Sequence, residues 1–210
     1  MSTTSAGSPE AGTRAAWSVR RWIAVNAVGI GAAFGLFGLL GGTVEALGAD
    51  HDSLVRDLSL LVAFAIGGSV WAALRGRALL PAVPRATRVG IVAVVALAGG
   101  FLTGYVVSGP PLDFILGITA IGAVAGSVEW RILREHLVRP GRMAVIGAAG
   151  WLVASVVAIV PAALLGDTID AALGSGVAGF VGVLVTIGLV GGAAGGAVEA
   201  LALRQRLTTG

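Results

Sequence analysis

The stretch from Ala171 to Leu203, AALGSGVAGFVGVLVTIGLVGGAAGGAVEALAL, decides how the chain folds. It carries one ionisable side chain, Glu199, and is followed at once by Arg204 and Arg206. The hydrocarbon core of a bilayer is about 30 Å thick, and about 20 helical residues cross it. An apolar run of this kind cannot lie in lipid as an open strand, because unpaired edge N–H and C=O groups find no partner there. The stretch therefore predicts a membrane-spanning helix.

Working outward, five more runs read the same way, roughly Trp22–Leu47, Leu58–Leu79, Val89–Val107, Phe114–Leu133 and Met143–Leu165. The expected fold is all-α, an integral membrane bundle of six transmembrane helices. Residues 1–16, rich in Ser, Thr, Gly, Ala and Pro, read as a flexible tail, and residues 17–207 as a single six-helix membrane domain. The first run is about twice the length of a signal-peptide apolar region, so it reads as a retained span.

Composition agrees. Of 210 residues, 56% are hydrophobic and 12% charged, and the mean hydropathy is +0.94. A soluble domain is about a quarter charged, so the chain lacks the polar side chains needed to cover a water-facing surface. Disordered chains, nucleic-acid-binding domains and most soluble enzymes are excluded on that ground. Cys is absent, which removes disulfides and thiolate metal sites. Every one of the 14 basic residues is Arg, so no Lys is present to form a Schiff base.

The connections set the orientation. Arg14, Arg20 and Arg21 precede the first run, and Arg75, Arg77, Arg85 and Arg88 are assigned to the link between the second and third. Arg131, Arg134, Arg139 and Arg142 surround the link between the fourth and fifth, and Arg204 and Arg206 end the sixth. The opposite loops hold Asp50, Asp52, Asp57, Asp113, Asp167 and Asp170, with Arg56 as the lone outward Arg. By the positive-inside rule both termini are expected in the cytoplasm. This bias explains a pI near 10.9 without nucleic acid as a partner. Trp17, Trp22, Trp71 and Trp130 lie near the Arg clusters, where indoles can sit at the headgroup level, whereas Trp151 reads as a packing residue.

Helix ends recur along the chain. Gly67-Gly68-Ser69-Val70-Trp71 matches Ala125-Gly126-Ser127-Val128-Glu129 and Gly195-Gly196-Ala197-Val198-Glu199. Each copy leads to an exit Arg, at Arg75, Arg134 and Arg204, and the first copy is one residue shorter. The pattern predicts three helical hairpins, at about residues 21–79, 85–137 and 142–207, as parallel repeats about an axis along the membrane normal. Glycines four apart give flat faces on which another backbone can approach closely. Gly100 with Gly104, Gly126 with Gly122, and Gly196 with Gly192 are the expected packing glycines. Pro161 is expected to kink the fifth span.

The chemistry that remains is sparse. His51 and His136 fall in or beside connections on opposite sides, so neither a metal centre nor a cofactor is expected in the bundle. Ser175, between Gly174 and Gly176, has no His at its depth to act as base and reads as a turn residue. With no nucleophile–base or carboxylate constellation, the chain does not read as an enzyme. The candidate polar site is Glu129 with Glu199, at equivalent repeat positions, with Trp71 in the third. They read as edge carboxylates pairing with Arg21, Arg88 or Arg142, or as a proton or cation entry point on a pseudo-threefold axis. Asn26, early in the first span, is expected to bond a neighbouring backbone.

The segment Gly126-Ser127-Val128-Glu129-Trp130-Arg131-Ile132-Leu133-Arg134 resembles Gly/Ala-rich multi-pass bacterial membrane proteins of uncharacterised function whose helices end in Gly-x-x-Gln-Trp-x-x-Leu-Arg. Glu129 stands where that pattern favours Gln. The resemblance implies six helices and no known activity, so it adds no catalytic or binding residue; the expected location is the cell membrane, the inner membrane of a bacterium. The expected role is a non-enzymatic bundle that assembles with other membrane proteins or with itself, or that interacts with lipid. The alternative is a small-solute transporter, channel or substrate-binding membrane subunit.

Overall fold

A computed structural model of the chain describes residues 18–48, 54–79, 119, 122–129, 131, 143–173 and 176–207. Among these residues all regular structure is α-helical. The helices are α1 (Val19–Ala46), α2 (Leu54–Leu79), the helical segment α3 (residues 122–129), α4 (Met143–Leu173) and α5 (Val177–Leu207). Three of them, α1, α2 and α5, are long and apolar enough to cross a membrane.

Local chemistry explains the ends of α1. Ser18 is extended, and its hydroxyl accepts from the Arg21 N–H at 3.4 Å, satisfying one of the free donors of the first turn. At the other end Gly48 takes φ of 86°, and its N–H donates to Glu45 O at 3.0 Å while Leu47 N–H donates to Thr43 O at 3.0 Å. The left-handed turn closes the helix as glycine caps do. Ser59, Ser69, Ser127, Ser155 and Thr186 each donate their hydroxyl to the carbonyl four residues earlier, at 2.6–2.9 Å. These hydroxyls are thus satisfied within their own helix, as an apolar surrounding requires.

Many large apolar side chains face outward, while many alanines pack inside. Val28, Val62, Ile66, Val156, Phe180 and Leu201 face outward, while Ala33, Ala63, Ala72, Ala154 and Ala200 are buried. In water such a surface would be a liability; against lipid tails it is neutral, and close backbone contact holds the bundle together.

Glycine registers give the arrangement. A Cβ on Gly67 would meet Ala33 Cα at 2.5 Å, and one on Gly41 would meet Leu60 Cδ2 at 3.1 Å, so α1 and α2 run antiparallel. A Cβ on Gly188 would meet Gly31 Cα at 2.8 Å, one on Gly192 would meet Asn26 O at 2.6 Å, and one on Gly42 would meet Val177 Cγ1 at 3.2 Å, so α5 runs antiparallel to α1. On its other side α5 meets α4, where a Cβ on Gly195 would lie 3.0 Å from Gly150 O, and one on Gly182 would lie 2.9 Å from Ile169 Cγ2. A Cβ on Gly147 of α4 would lie 2.6 Å from Gly122 O and 3.0 Å from Gly126 Cα. Gly126 thus faces Gly147, and a Cβ on Gly196 would lie 2.8 Å from Asn26 Cβ. Gly100, Gly104, the third expected span and most of the middle hairpin lie outside the described residues.

Three expectations are corrected. α4 continues through Pro161 to Leu173 without a break, so Asp167 and Asp170 belong to a helix and not to a loop. Nothing between Thr168 and Leu173 breaks a helix, and the last helix starts at Val177 instead of Ala171. Trp22 and Trp71 are 1% and 2% exposed, so they pack inside the bundle and do not form an interfacial belt. Arg75 lies within α2 and is 2% exposed, so it is no part of a basic connection.

Candidate functional site

Among the described residues, the buried polar and charged side chains are Asn26, Arg75, Glu129, Ser155 and Glu199. Four of them meet at one place. Arg75 and Arg77 share the last part of α2, but a step of two residues turns them to opposite faces, so Arg77 is exposed and Arg75 points inward.

The Arg75 guanidinium is the hub. Its Nη2 donates to Glu129 Oε2 at 2.7 Å and lies 3.0 Å from Glu199 Oε2. The second contact is ionic but out of line for a hydrogen bond, because Glu199 Oε2 has no donor properly aimed at it. Nη1 donates to Asn26 Oδ1 at 2.9 Å. That same oxygen accepts from Trp71 Nε1 at 3.1 Å, and Asn26 Nδ2 donates to Trp22 O at 2.9 Å. Asn26 thus bonds the backbone of its own helix and orients the Arg.

Aromatic rings complete the enclosure. The guanidinium carbon sits 4.5 Å from the Trp22 ring centre and 4.7 Å from that of Trp71, within the range of cation–π attraction. Trp71 meets Trp151 of α4 edge to face at 5.5 Å. Gly150 leaves the space that Glu199 fills, since a Cβ there would lie 3.4 Å from Glu199 Cγ. α1, α2, α3, α4 and α5 all contribute to this one cluster.

At 1.5 Å per residue, Asn26 is about 10 Å inside the start of α1, Arg75 about 6 Å and Glu199 about 12 Å inside the ends of their helices. The cluster therefore lies about 10 Å within the end of the bundle that carries Arg20, Arg21, Arg77 and Arg204, all exposed. A cation in an apolar setting is tolerated when it is paired and hydrogen-bonded, and Arg75 has two carboxylates, an amide and two indole faces. Chemically the arrangement can hold helices together and can bind or exchange a proton. Among the described residues no group of three or more His, Cys, Asp or Glu is placed to hold a metal ion.

Glu129 and Glu199, paired by the sequence reading, come together on Arg75; Arg21 is exposed, and Arg88 and Arg142 lie outside the described residues. The three positions matched by the repeat, Trp71, Glu129 and Glu199, all touch its guanidinium. The missed residue, Arg75, had a signal. Arg204 follows Glu199 by five residues, whereas Arg75 follows Trp71 by four. One residue fewer turns the side chain by about 100° around the helix, onto the face that Trp71 occupies.

His51, His136 and Ser175 lie outside the described residues. Comparison with protein families, with curated proteins and with solved structures found no match.

Proposed function

We propose that the chain is a six-span protein of the bacterial inner membrane with both termini in the cytoplasm, acting without catalysis as an assembly subunit or partner of other membrane proteins. The observation that carries this reading is the enclosure of Arg75, 2% exposed and held by Asn26 and Trp22 of α1, Glu129 of α3, Glu199 of α5 and Trp71 of its own α2. A hub so enclosed, with helices meeting backbone to backbone at Gly188, Gly192 and Gly195, favours a static bundle over one that opens on a substrate. The likeness of the three helix ends supports assembly from repeated hairpins, whose equivalent positions converge on Arg75.

A second reading, a proton- or cation-coupled transporter subunit, is favoured by one observation: two carboxylates face a single cation. Purified protein reconstituted alone into vesicles separates the two. The assembly reading expects no flux of protons or small cations, together with a defined complex after cross-linking in native membranes. Flux through the isolated chain would replace it with the transporter reading.

A further inference from the structure

Helix direction sorts the charges to the two ends of the bundle. α1 begins, and α2 and α5 finish, at the end that carries Arg20, Arg21, Arg77 and Arg204, all exposed. The acidic side chains of the described helices lie elsewhere. Glu45 closes α1, Asp57 opens α2, and Asp167 and Asp170 lie in the last two turns of α4, all at the opposite end. Glu129 and Glu199 are buried on Arg75. Among the described residues, the Arg-rich end therefore exposes cations and no acid.

These Arg residues are tied to an apolar plug. Trp22, Ala78, Leu79, Ala200 and Leu203 form one buried cluster that joins the ends of α1, α2 and α5. Arg20 and Arg21 directly precede Trp22, Arg77 precedes Ala78, and Arg204 follows Leu203. Each cation thus stands within two positions of a packed residue. Its stem can run along apolar neighbours while its head reaches the headgroup layer. The group is also always a guanidinium, since every basic residue of the chain is Arg. A guanidinium offers a planar fork that grips phosphate through two N–H bonds, where an ammonium acts as a point charge.

We propose that this rim, with Arg20, Arg21 and Arg77 as its contacts, is a docking surface for the phosphate groups of anionic phospholipids in the adjoining leaflet. Position and charge both select lipid. α1, α2 and α5 are long and apolar enough to cross a bilayer, which brings their ends to the headgroup layer. A negatively charged leaflet attracts Arg near its surface, and a zwitterionic one has no net charge to do so. The inference rests on the membrane placement proposed above and is independent of the assembly role.

The test is electron spin resonance of the full chain in phosphatidylcholine bilayers, with trace spin-labelled phosphatidylglycerol or spin-labelled phosphatidylcholine. Lipid beside a membrane-spanning chain gives a motionally restricted component, and comparing the two labels gives their relative affinity. The expected result is a preference for phosphatidylglycerol of up to about fivefold, the worth of one Arg near a charged surface. Salt should weaken it. The triple variant R20Q/R21Q/R77Q should bring the two labels level, whereas R56Q, near the start of α2 at the opposite end, should not. Equal association of both labels with the unmodified chain would overturn the surface, as would a preference that survives the triple variant. Sodium phosphate should weaken the preference no more than sodium chloride of equal ionic strength; a larger effect would assign the rim to a soluble anion and overturn the lipid. The unmodified chain alone decides the first outcome, so poor folding of a variant leaves it standing. A restricted component without preference removes only this inference, and no restricted component for either label removes the membrane placement as well.

Discussion

Arg75 Nη2 lies 2.7 Å from Glu129 Oε2, an ion pair between residues 54 positions apart in the chain, with both side chains buried. The pair joins α2 to α3, and the contact from Arg75 to Glu199 extends the tie to α5. Removing the cation leaves two carboxylates without a counter-charge. Arg75→Leu is expected to lower stability by about 3–5 kcal/mol, the usual result of breaking a buried pair on one side, read as a shift in unfolding in mixed micelles.

Arg75→Lys keeps the charge but loses the planar fork that serves Asn26 and Glu129 at once between two indoles. One charged hydrogen bond should be lost, about 1.5–3 kcal/mol. The same unfolding series checks it, and a lysine variant as stable as the native chain would show that charge alone suffices.

The glycine registers make a sharper contrast. Gly192→Ala puts a Cβ 2.6 Å from Asn26 O, a backbone atom that moves only if α1 and α5 part. The expected loss is about 1–3 kcal/mol, as for overpacking a core. Gly176→Ala, where a Cβ meets nothing within 4 Å, should leave stability unchanged. Equal melting of both variants would contradict the close contact.

Trp71→Phe retains most of the ring over Arg75 and the edge of Trp151 but deletes the Nε1–H that Asn26 accepts. A loss of about 1 kcal/mol is expected, the net worth of one hydrogen bond.

Reporter fusions check the proposed orientation. Fusions after Gly48, Pro110 and Gly176 should report outside, and fusions after Pro81, Pro140 and Gly210 inside. The third outside fusion follows Gly176 because α4 runs on to Leu173.

Much of this was legible in the chain, for physical reasons that differ by residue. Apolar length announces α1, α2 and α5, since lipid demands it of any span. Gly192 and Gly196 are readable because four-residue spacing is a property of one helix, and Glu129 and Glu199 because they repeat in register. Arg75 was not read inward, because counting Arg by side of the membrane treats each as a loop residue, whereas its facing depends on one position of helical phase. Trp22 and Trp71 were assigned to the interface on proximity to Arg; in the fold they are near Arg75 because they enclose it. The continuation of α4 past Leu165 was missed because Asp167 and Asp170 looked like loop residues, although neither stops a helix.

The tie through Arg75 is tested most directly by unfolding four proteins in mixed micelles: the native chain, E129Q, E199Q and the double variant. With two carboxylates for one cation, either alone keeps Arg75 paired, so each single variant should stay within about 1 kcal/mol of the native chain, as for substitutions that leave no buried charge unpaired. The double variant strands a buried guanidinium and should lose about 3–5 kcal/mol, far more than the two single losses combined. Strict additivity, with the double variant losing no more than the sum of the two small single losses, would contradict the claim that these carboxylates hold the bundle through Arg75.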